Sequence, residues 1–239
     1  MGTLYVDTLE PEGGTTTLTV GETGQNTVIG GNTIKFNTLQ DAGGNAIFTS
    51  NGSGVLSSVN SSFGSDMNLI LSQTVTGGAS ISFTSGITST YGEYIFKCYN
   101  INPATDATEL TFNASTDGGS NYNAVKTTTT FGAYHQVGSV WLTYQSGWDL
   151  AESADAQDMI KDQGNGADEC GVGELHLFNP ASTTFVKQFT SIGQGYHKDD
   201  ASLQLMMAGY LNTTSAIDAV QFKMASGNFD GTIKMFGLK

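Results

Sequence analysis

Charged side chains are scarce in this sequence. Only 13% of its 239 residues are charged, against about 25% in ordinary globular proteins. Arginine is absent, because all nine basic residues are lysines, so the side chain best suited to a bidentate grip on phosphate is missing. The formal net charge is −13. An acidic chain without arginine is expected to bind neither nucleic acid nor an anionic membrane surface.

Cysteine and long apolar runs are scarce too. The two cysteines are Cys98 and Cys170. No apolar stretch near the N-terminus has the pattern of a secretion signal, so we expect synthesis in a reducing cytoplasm, where buried free thiols are commoner than a disulfide. No run approaches the roughly 18 apolar residues of a membrane span, and we expect no membrane insertion.

Proline is rare and glycine is abundant, with 3 and 31 residues respectively. Few strands are therefore prevented from pairing by a missing backbone N–H, and the chain can make many tight turns at positive φ. Ser, Thr and Asn fill positions that charged residues occupy in other proteins. This composition indicates an all-β fold with many turns.

Residues 1–60 carry short β-prone runs separated by glycines. Strands this short, with so few large apolar side chains, cannot close a core within one chain. We expect an attachment and trimerisation arm that pairs with identical arms or lies along another protein. A flexible linker is the alternative, although the repeated β-branched residues disfavour it. The residues expected to form the arm's contacts are Leu4, Val6, Leu9, Leu18, Val20, Ile34 and Phe36.

Residues 61–239 carry the longer alternating strands of a full domain. Ile81 and Phe83 share one face of a predicted strand, and Leu110 and Phe112 share one face of another. Strands are predicted at 80–84, 94–101, 109–114, 140–144, 173–178, 184–189, 202–207, 219–224 and 232–236. Several short strands at this spacing favour an antiparallel β-sandwich of jelly-roll type.

Two segments of this domain depart from simple alternation. The strand at 94–101 is apolar on both faces, which suits a central strand or a subunit contact. The segment 149–161 begins with acidic residues, as helix N-termini often do, and is predicted to form one helix within a loop insertion.

No catalytic motif is recognisable. His135, His176 and His197 are the only histidines, and none lies in a nucleophile setting such as G-x-S-x-G. His176 alternates with leucines, which is typical of a hydrogen-bonded strand histidine. We therefore expect no enzymatic activity, no catalytic residue and no cofactor.

An enzyme such as a polysaccharide depolymerase is the rival hypothesis. It would need paired carboxylates flanking a groove. The sequence supplies acids at Glu152, Asp155, Asp158, Asp168 and Glu169. Because these acids cluster in one insertion, a solvated acidic surface is the preferred interpretation.

A calcium site is a second minor hypothesis. Asp162, Asn165, Asp168 and Glu169 collect carboxylate and amide oxygens on a glycine-rich loop, and Ca²⁺ prefers such ligands. The order of these residues departs from the EF-hand pattern, so a plain acidic loop is the simpler explanation. We predict no metal site, with these four residues as a weak calcium candidate.

Aromatic side chains at apparent loop positions are candidates for contact with a receptor. Trp148 precedes the acidic insertion, and a Tyr-His pair occurs twice, at Tyr134-His135 and at Tyr196-His197. Exposed aromatic residues do mark interfaces. Core packing or a trimer contact remains an equal alternative for each of them.

Six segments have a distinctive sequence: MGTLYVDTLEP (1–11), SISF (80–83), YGEY (91–94), NPATD (102–106), STDGGSNY (115–122) and FKMASGNFDGTIKMFG (222–237). Through these segments the sequence resembles, over most of its length, virion structural and tail-fibre-like proteins of marine phages, notably cyanophages. The first and last of these segments are typical of phage particles rather than of one position on the particle.

The resemblance implies a virion protein with an N-terminal attachment arm and a C-terminal β-sandwich that assembles as a homotrimer. It implies synthesis in the host cytoplasm and a place on the exterior of the particle. Its partners would be identical copies, other virion proteins such as a tail, portal-vertex or major capsid protein, and a host surface receptor. A trimeric fibre or spike is the leading expectation, and a capsid decoration (cement) protein is the alternative. The resemblance transfers no catalytic residues.

Overall fold

The computed structural model describes residues 38–41, 43–50, 52–53, 56–59 and 67–239. The chain divides into two compact units, Met1–Asn60 and Ser61–Lys239. The roles expected for them, as an arm and as a sandwich domain, stay predictions. Outside the described residues lie the predicted arm contacts Leu4, Val6, Leu9, Leu18, Val20, Ile34 and Phe36.

The described part of the first unit is a small antiparallel sheet. Its strands are β1 (Thr38–Gln40), β2 (Ala46–Ser50) and β3 (Leu56–Val59), in the order β1-β2-β3. The β1–β2 turn is held by Asp41, whose Oδ1 atom accepts hydrogen bonds from the Asn45 and Gly43 backbone N–H groups at 2.8 and 2.9 Å. All residues of β1 are exposed, so this strand buries no side chain within its own unit.

The second unit is one large antiparallel sheet of 12 strands. Its strands are β4 (Met67–Gly78), β5 (Ser80–Phe83), β6 (Glu93–Pro103), β7 (Thr108–Ser115), β8 (Lys126–Gln136), β9 (Ser139–Tyr144), β10 (Gln157–Gln163), β11 (Gly171–Phe178), β12 (Lys187–His197), β13 (Ala201–Leu211), β14 (Ala219–Met224) and β15 (Phe229–Leu238). The described residues contain no helix, which confirms the all-β prediction.

The strand order has a main path and a branch. The path runs β4-β15-β6-β11-β12-β10-β7-β14-β5, and the branch β13-β8-β9 leaves it at β12. The step from β12 to β10 rests on a single pair, Gln163 with His197. Eight strands, from β4 through β12 to β9, therefore form a continuous surface, and β10, β7, β14 and β5 form a second, smaller one.

The core lies between these two surfaces. Phe112 of β7 meets Phe189 of β12 edge to face, with ring centroids 5.2 Å apart. Phe96 of β6 contacts Phe83 of β5 at 5.3 Å and Phe222 of β14 at 5.4 Å. Because strands distant along the sheet share one set of buried rings, the sheet must fold back on itself.

Glycines in β12 allow the two surfaces to approach closely. A Cβ atom at Gly193 would overlap the backbone carbonyl of Met159 in β10, and one at Gly195 would lie 2.6 Å from the Ile160 side chain. Only glycine leaves room for β10 to cross over β12 at this point.

Most predicted strands are found, and one predicted element is wrong. The segment 149–161, predicted as a helix, contains turns followed by the start of β10. Gln157 and Met159 of β10 are buried, and the strand pairs with β7, so tertiary pairing overrides the helix-like acidic start. Strands β4 and β8 were not predicted, and β12 begins at Lys187 and extends to His197, beyond the predicted 184–189.

Replacing Phe112 by Ala should destabilise the large domain by about 3–5 kcal/mol, because the ring is only 1% exposed and its loss leaves a cavity between the two surfaces. The urea midpoint of the F112A variant, followed by near-UV circular dichroism, measures this. Val137→Ala is the control, since Val137 is fully exposed in the β8–β9 turn and its midpoint should match that of the unchanged protein. Equal midpoints for F112A and V137A would contradict the proposed core.

Candidate interaction surface

Four rings form an aromatic cluster at the end of β8 and β9, made of Tyr134, Trp141, Trp148 and His197. Tyr134 and Trp141 are cross-strand partners and stack with centroids 5.4 Å apart and 4° between their planes. Trp148 lies 6.0 Å from Trp141, and His197 meets Tyr134 edge to face at 5.2 Å. The structure thus brings together three predicted receptor residues, with Trp141 as a member that was not predicted.

Contacts with Gly132, Gln157 and Lys161 hold Trp148 in the cluster. A Cβ atom at Gly132 would lie 2.7 Å from the Trp148 ring and 2.8 Å from the Trp141 ring, so glycine leaves space for both rings. Gln157 Nε2 donates to the Trp148 carbonyl at 2.9 Å, and Lys161 Nζ lies 5.7 Å from the Trp148 ring centroid. The rings are therefore packed in fixed positions.

The predicted receptor residues lie on strands, which corrects the loop positions expected for four of them. Tyr134 and His135 belong to β8, and Tyr196 and His197 belong to β12. Only Trp148 lies in a turn. His135 and Tyr196 are exposed on the face opposite to the cluster, since successive side chains on a strand alternate. Contact of these residues with a receptor stays a prediction.

The face of β12, β13, β8 and β9 that points away from the core, here called the outer face, exposes large apolar side chains. Val140 and Leu142 are 72% and 69% exposed, and Phe131, Tyr144 and Ile192 are each close to half exposed. Phe131 pairs with Tyr144 across β8 and β9, with ring centroids 5.7 Å apart. Side chains this apolar rarely gather on the free surface of a soluble monomer.

Shallow hollows mark the outer face. One of about 310 Å³ lies over β11, β12, β13 and β8. Its wall contains Phe131, Ile192 and Met206 of the outer face and Glu174 and His176 of β11. A second, of about 490 Å³, is lined by Val140 and Leu142 beside Gln204 of β13. Hollows of this size can accept single large side chains from a protein partner.

The ionisable groups near this face contact one another. In β11, His176 Nδ1 lies 2.5 Å from Glu93 Oε1, and His176 Nε2 lies 3.3 Å from Glu174 Oε1. Lys97 Nζ reaches Glu174 at 3.2 Å. Burial opposes ionisation of Glu174, but hydrogen bonds from Lys97 and His176 outweigh it and lower the pKa of Glu174. His176 is the hydrogen-bonded strand histidine that the sequence predicted.

The acids considered for an enzyme are spread over different contacts. Asp158 Oδ2 and Glu109 Oε1 each lie 2.9 Å from Lys161 Nζ. Desolvation is the main cause that raises the pKa of Asp158, despite this lysine. None of these carboxylates lines the two hollows described above. The geometry adds no support to the hypothesis of paired catalytic acids in a groove.

The acidic loop is closed by its own hydrogen bonds. Glu169 Oε2 accepts from the Gly166 N–H at 2.7 Å, and Asn102 Nδ2 donates to the Gly166 carbonyl at 2.9 Å. Across the described ranges, no group of three or more His, Cys, Asp or Glu side chains could hold a metal ion. The weak calcium candidate, comprising Asp162, Asn165, Asp168 and Glu169, gains no support from this geometry.

The two thiols are free and differ in environment. Cys98 is 2% exposed, and Cys170 is exposed. Desolvation raises the pKa of the Cys98 thiol to about 12, so the thiolate that reacts with electrophiles is almost absent at neutral pH.

Lys126 carries a buried ammonium group. The residue is 0% exposed, and its Nζ donates to the Asp155 backbone carbonyl at 2.6 Å. Desolvation lowers its pKa to about 8, partly opposed by the charge of Asp155. This hydrogen bond joins β8 to the segment before β10. The buried charge is poorly solvated, which costs folding stability.

Comparison with protein-family models, curated proteins and solved structures finds no match. In the part of the chain that the structure describes, no helix has the length and apolar character needed to cross a membrane.

A thiol reagent should label one cysteine per native chain and two per unfolded chain. Cys170 is accessible, whereas burial and a raised pKa protect Cys98. Mass spectrometry after brief treatment with iodoacetamide at pH 7.5 counts the adducts, and Cys170→Ser is the control that should show none in the native state. Rapid double labelling of the native protein would contradict the buried position of Cys98.

Replacing Lys126 by Met should remove a pH dependence of stability between about pH 8 and the ordinary lysine pKa of 10.5. In that window the unfolded chain holds the Lys126 proton more tightly than the folded chain, so this group makes the protein more stable as pH rises. Urea midpoints at pH 7.5, 9 and 10 measure the effect. The stability of the unchanged protein relative to K126M should rise with pH, whereas exposed Lys223→Met should show no such trend. A constant difference for K126M would contradict the assignment.

Proposed function

We propose that this chain is a non-enzymatic structural protein of a bacteriophage particle, an exterior fibre or spike component attached by its N-terminal arm, residues 1–60. The resemblance of the sequence to marine phage virion proteins motivates the phage assignment. The exposed apolar outer face carries the structural role, because a surface of this kind serves contact between proteins rather than chemistry.

The finer architecture belongs to the same proposal. The shared core between the eight-stranded and four-stranded surfaces supports a β-sandwich with jelly-roll-like connections, since the inward rings of Phe96, Phe112 and Phe222 lie within one cluster. A homotrimer would remove exposed strand edges and cover weakly apolar surface. The arm would join the particle at a tail, portal-vertex or major capsid protein.

Contact with a host receptor is the remaining part of the fibre hypothesis. Trp148 is the one predicted receptor residue in a turn, and it is half-buried beside Trp141. The cluster would therefore support the shape of the neighbouring turn, which would make the contact, whereas His135 and Tyr196 lie on the outer face.

A capsid decoration protein is the second candidate. The described strands of the first unit are three to five residues long, and every residue of β1 is exposed. Short, exposed strands suit a segment that lies across neighbouring subunits. Such a protein bridges many identical capsid sites and is present in hundreds of copies, whereas a fibre is present in far fewer.

The copy number per particle tests both candidates. Phage particles that carry this gene, purified by density gradient, should contain the chain at a fixed ratio to the major capsid protein, measured by mass spectrometry with isotope-labelled standard peptides. A few to several tens of copies supports a fibre, and hundreds support a decoration protein. Absence from washed particles, with the chain present in the lysate, would refute a virion protein.

A further inference from the structure

Acidic residues are absent from four adjacent strands. Strands β12, β13, β8 and β9 contain no Asp or Glu, although the chain has 22 acidic residues. The two lysines on these strands, Lys126 and Lys187, are both 0% exposed. The outer face therefore carries no formal charge at neutral pH, in a protein whose net charge is −13.

The acids that border this face are engaged in contacts. Glu174 of β11, in the wall of the hollow of about 310 Å³, lies 3.2 Å from Lys97 Nζ. Asp149 accepts a hydrogen bond from the Tyr144 hydroxyl, and Asp200 accepts one from the Tyr196 hydroxyl at 3.1 Å. An uncharged apolar centre with polar groups at its boundary is the usual anatomy of a protein interface.

Strand β9 leaves one edge open in the described part of the chain. It pairs with β8 alone, and the pairing is regular from Phe131–Tyr144 to Gln136–Ser139, without a bulge. The strand also contains no lysine and no proline. Natural sheet edges that avoid association usually carry one of these devices, so β9 has the features of an edge that another chain covers.

The distribution of charge indicates which kind of chain covers the outer face and the β9 edge. A basic partner drawn by the net charge of −13 would be expected to meet acidic surface, and the outer face offers none. A second copy of this chain has the opposite problem, because two strongly acidic molecules repel each other unless their contact surfaces lack acids. The outer face meets that condition, and in a trimer every copy can turn these same neutral strands toward the threefold axis and its neighbours.

We infer that the outer face and the β9 edge form the interface between copies of this chain. Val140, Leu142 and Phe131 are the anchors, and the hollow of about 310 Å³ receives an apolar side chain from the neighbouring copy. The inference rests on the proposed trimer and names the surface that holds it together.

Leu142→Glu tests the interface in the full-length protein. Leu142 is 69% exposed, so the substitution leaves the fold intact but places an acid in each contact between acidic chains. Light scattering should give about three times the 25.1 kDa of one chain for the unchanged protein. Association by L142E should be at least tenfold weaker. Phe185→Glu, at an apolar side chain 72% exposed outside these four strands, is the matched control and should assemble normally.

Hydrogen exchange at residues 139–144 covers the case in which the arms keep the copies joined. Exchange there should be slow in the unchanged protein and in F185E, and fast in L142E even if the mass stays trimeric. A single-chain mass at every concentration overturns the inference, and slow exchange in that species would mean that another segment of the chain covers the face. L142E that matches the unchanged protein in mass and in exchange overturns it too. Either failure leaves the location on the particle, which copy number tests separately, unaffected.

Discussion

The packing of aromatic rings between two surfaces of one sheet is the interaction on which the rest of the domain depends. Phe112 and Phe189 join β7 to β12, and Phe96 joins β6 to β5 and β14 through its neighbours Phe83 and Phe222. These contacts fold the sheet back and enclose the inward face of its strands. The smaller surface has only four strands and the larger one has eight, so the strands at the far end, β8 and β9, extend past the shared core. Their inward face is covered by the aromatic cluster, and their outer face is left exposed.

The sequence predicted the elements whose side chains alternate between apolar and polar. Ile81, Phe83, Leu110 and Phe112 were assigned to inward faces from their period of two, and all four are at most 3% exposed. The 94–101 run, predicted from apolar residues on both faces to be a central strand or a subunit contact, lies in β6 between β15 and β11. Periodicity alone sufficed to assign the inward faces of these strands, because the burial of apolar side chains is the main force that orients them.

Two of the missed segments, β8 and the extension of β12, have inward side chains that are mostly polar or absent. Strand β8 contains four consecutive threonines, and its inward Thr128 hydroxyl donates to Gln157 Oε1 at 2.7 Å, a contact that no local pattern indicates. The same glutamine belongs to the strand predicted as a helix. In β12, Gly193 and Gly195 lower strand propensity, yet they are required where β10 crosses. Long-range polar partners and backbone proximity decide these segments, and neither is visible in a short window of sequence.

The candidate sites also depend on long-range pairing that the sequence alone does not show. Aromatic composition identified Tyr134, Trp148 and His197, which do meet, but their strand positions and their partner Trp141 depend on the pairing of β8 with β9. The outer face was not identified from sequence at all, because its residues come from four strands spread over residues 126–211. The sequence shows that these strands lack acidic residues. This lack indicates a neutral face only when β12, β13, β8 and β9 are known to be neighbours.

We propose that residues 1–60 attach the chain to the particle, that the folded-back sheet gives rigidity, and that the neutral face serves assembly. The proposed location is the outside of a phage particle. Gold-tagged antibody against residues 67–239, applied to intact particles and viewed by electron microscopy, tests this location. We expect label on the particle exterior, confined to the tail or one vertex for a fibre. Intact particles that stay unlabelled, while opened particles from the same preparation bind the antibody, would contradict it.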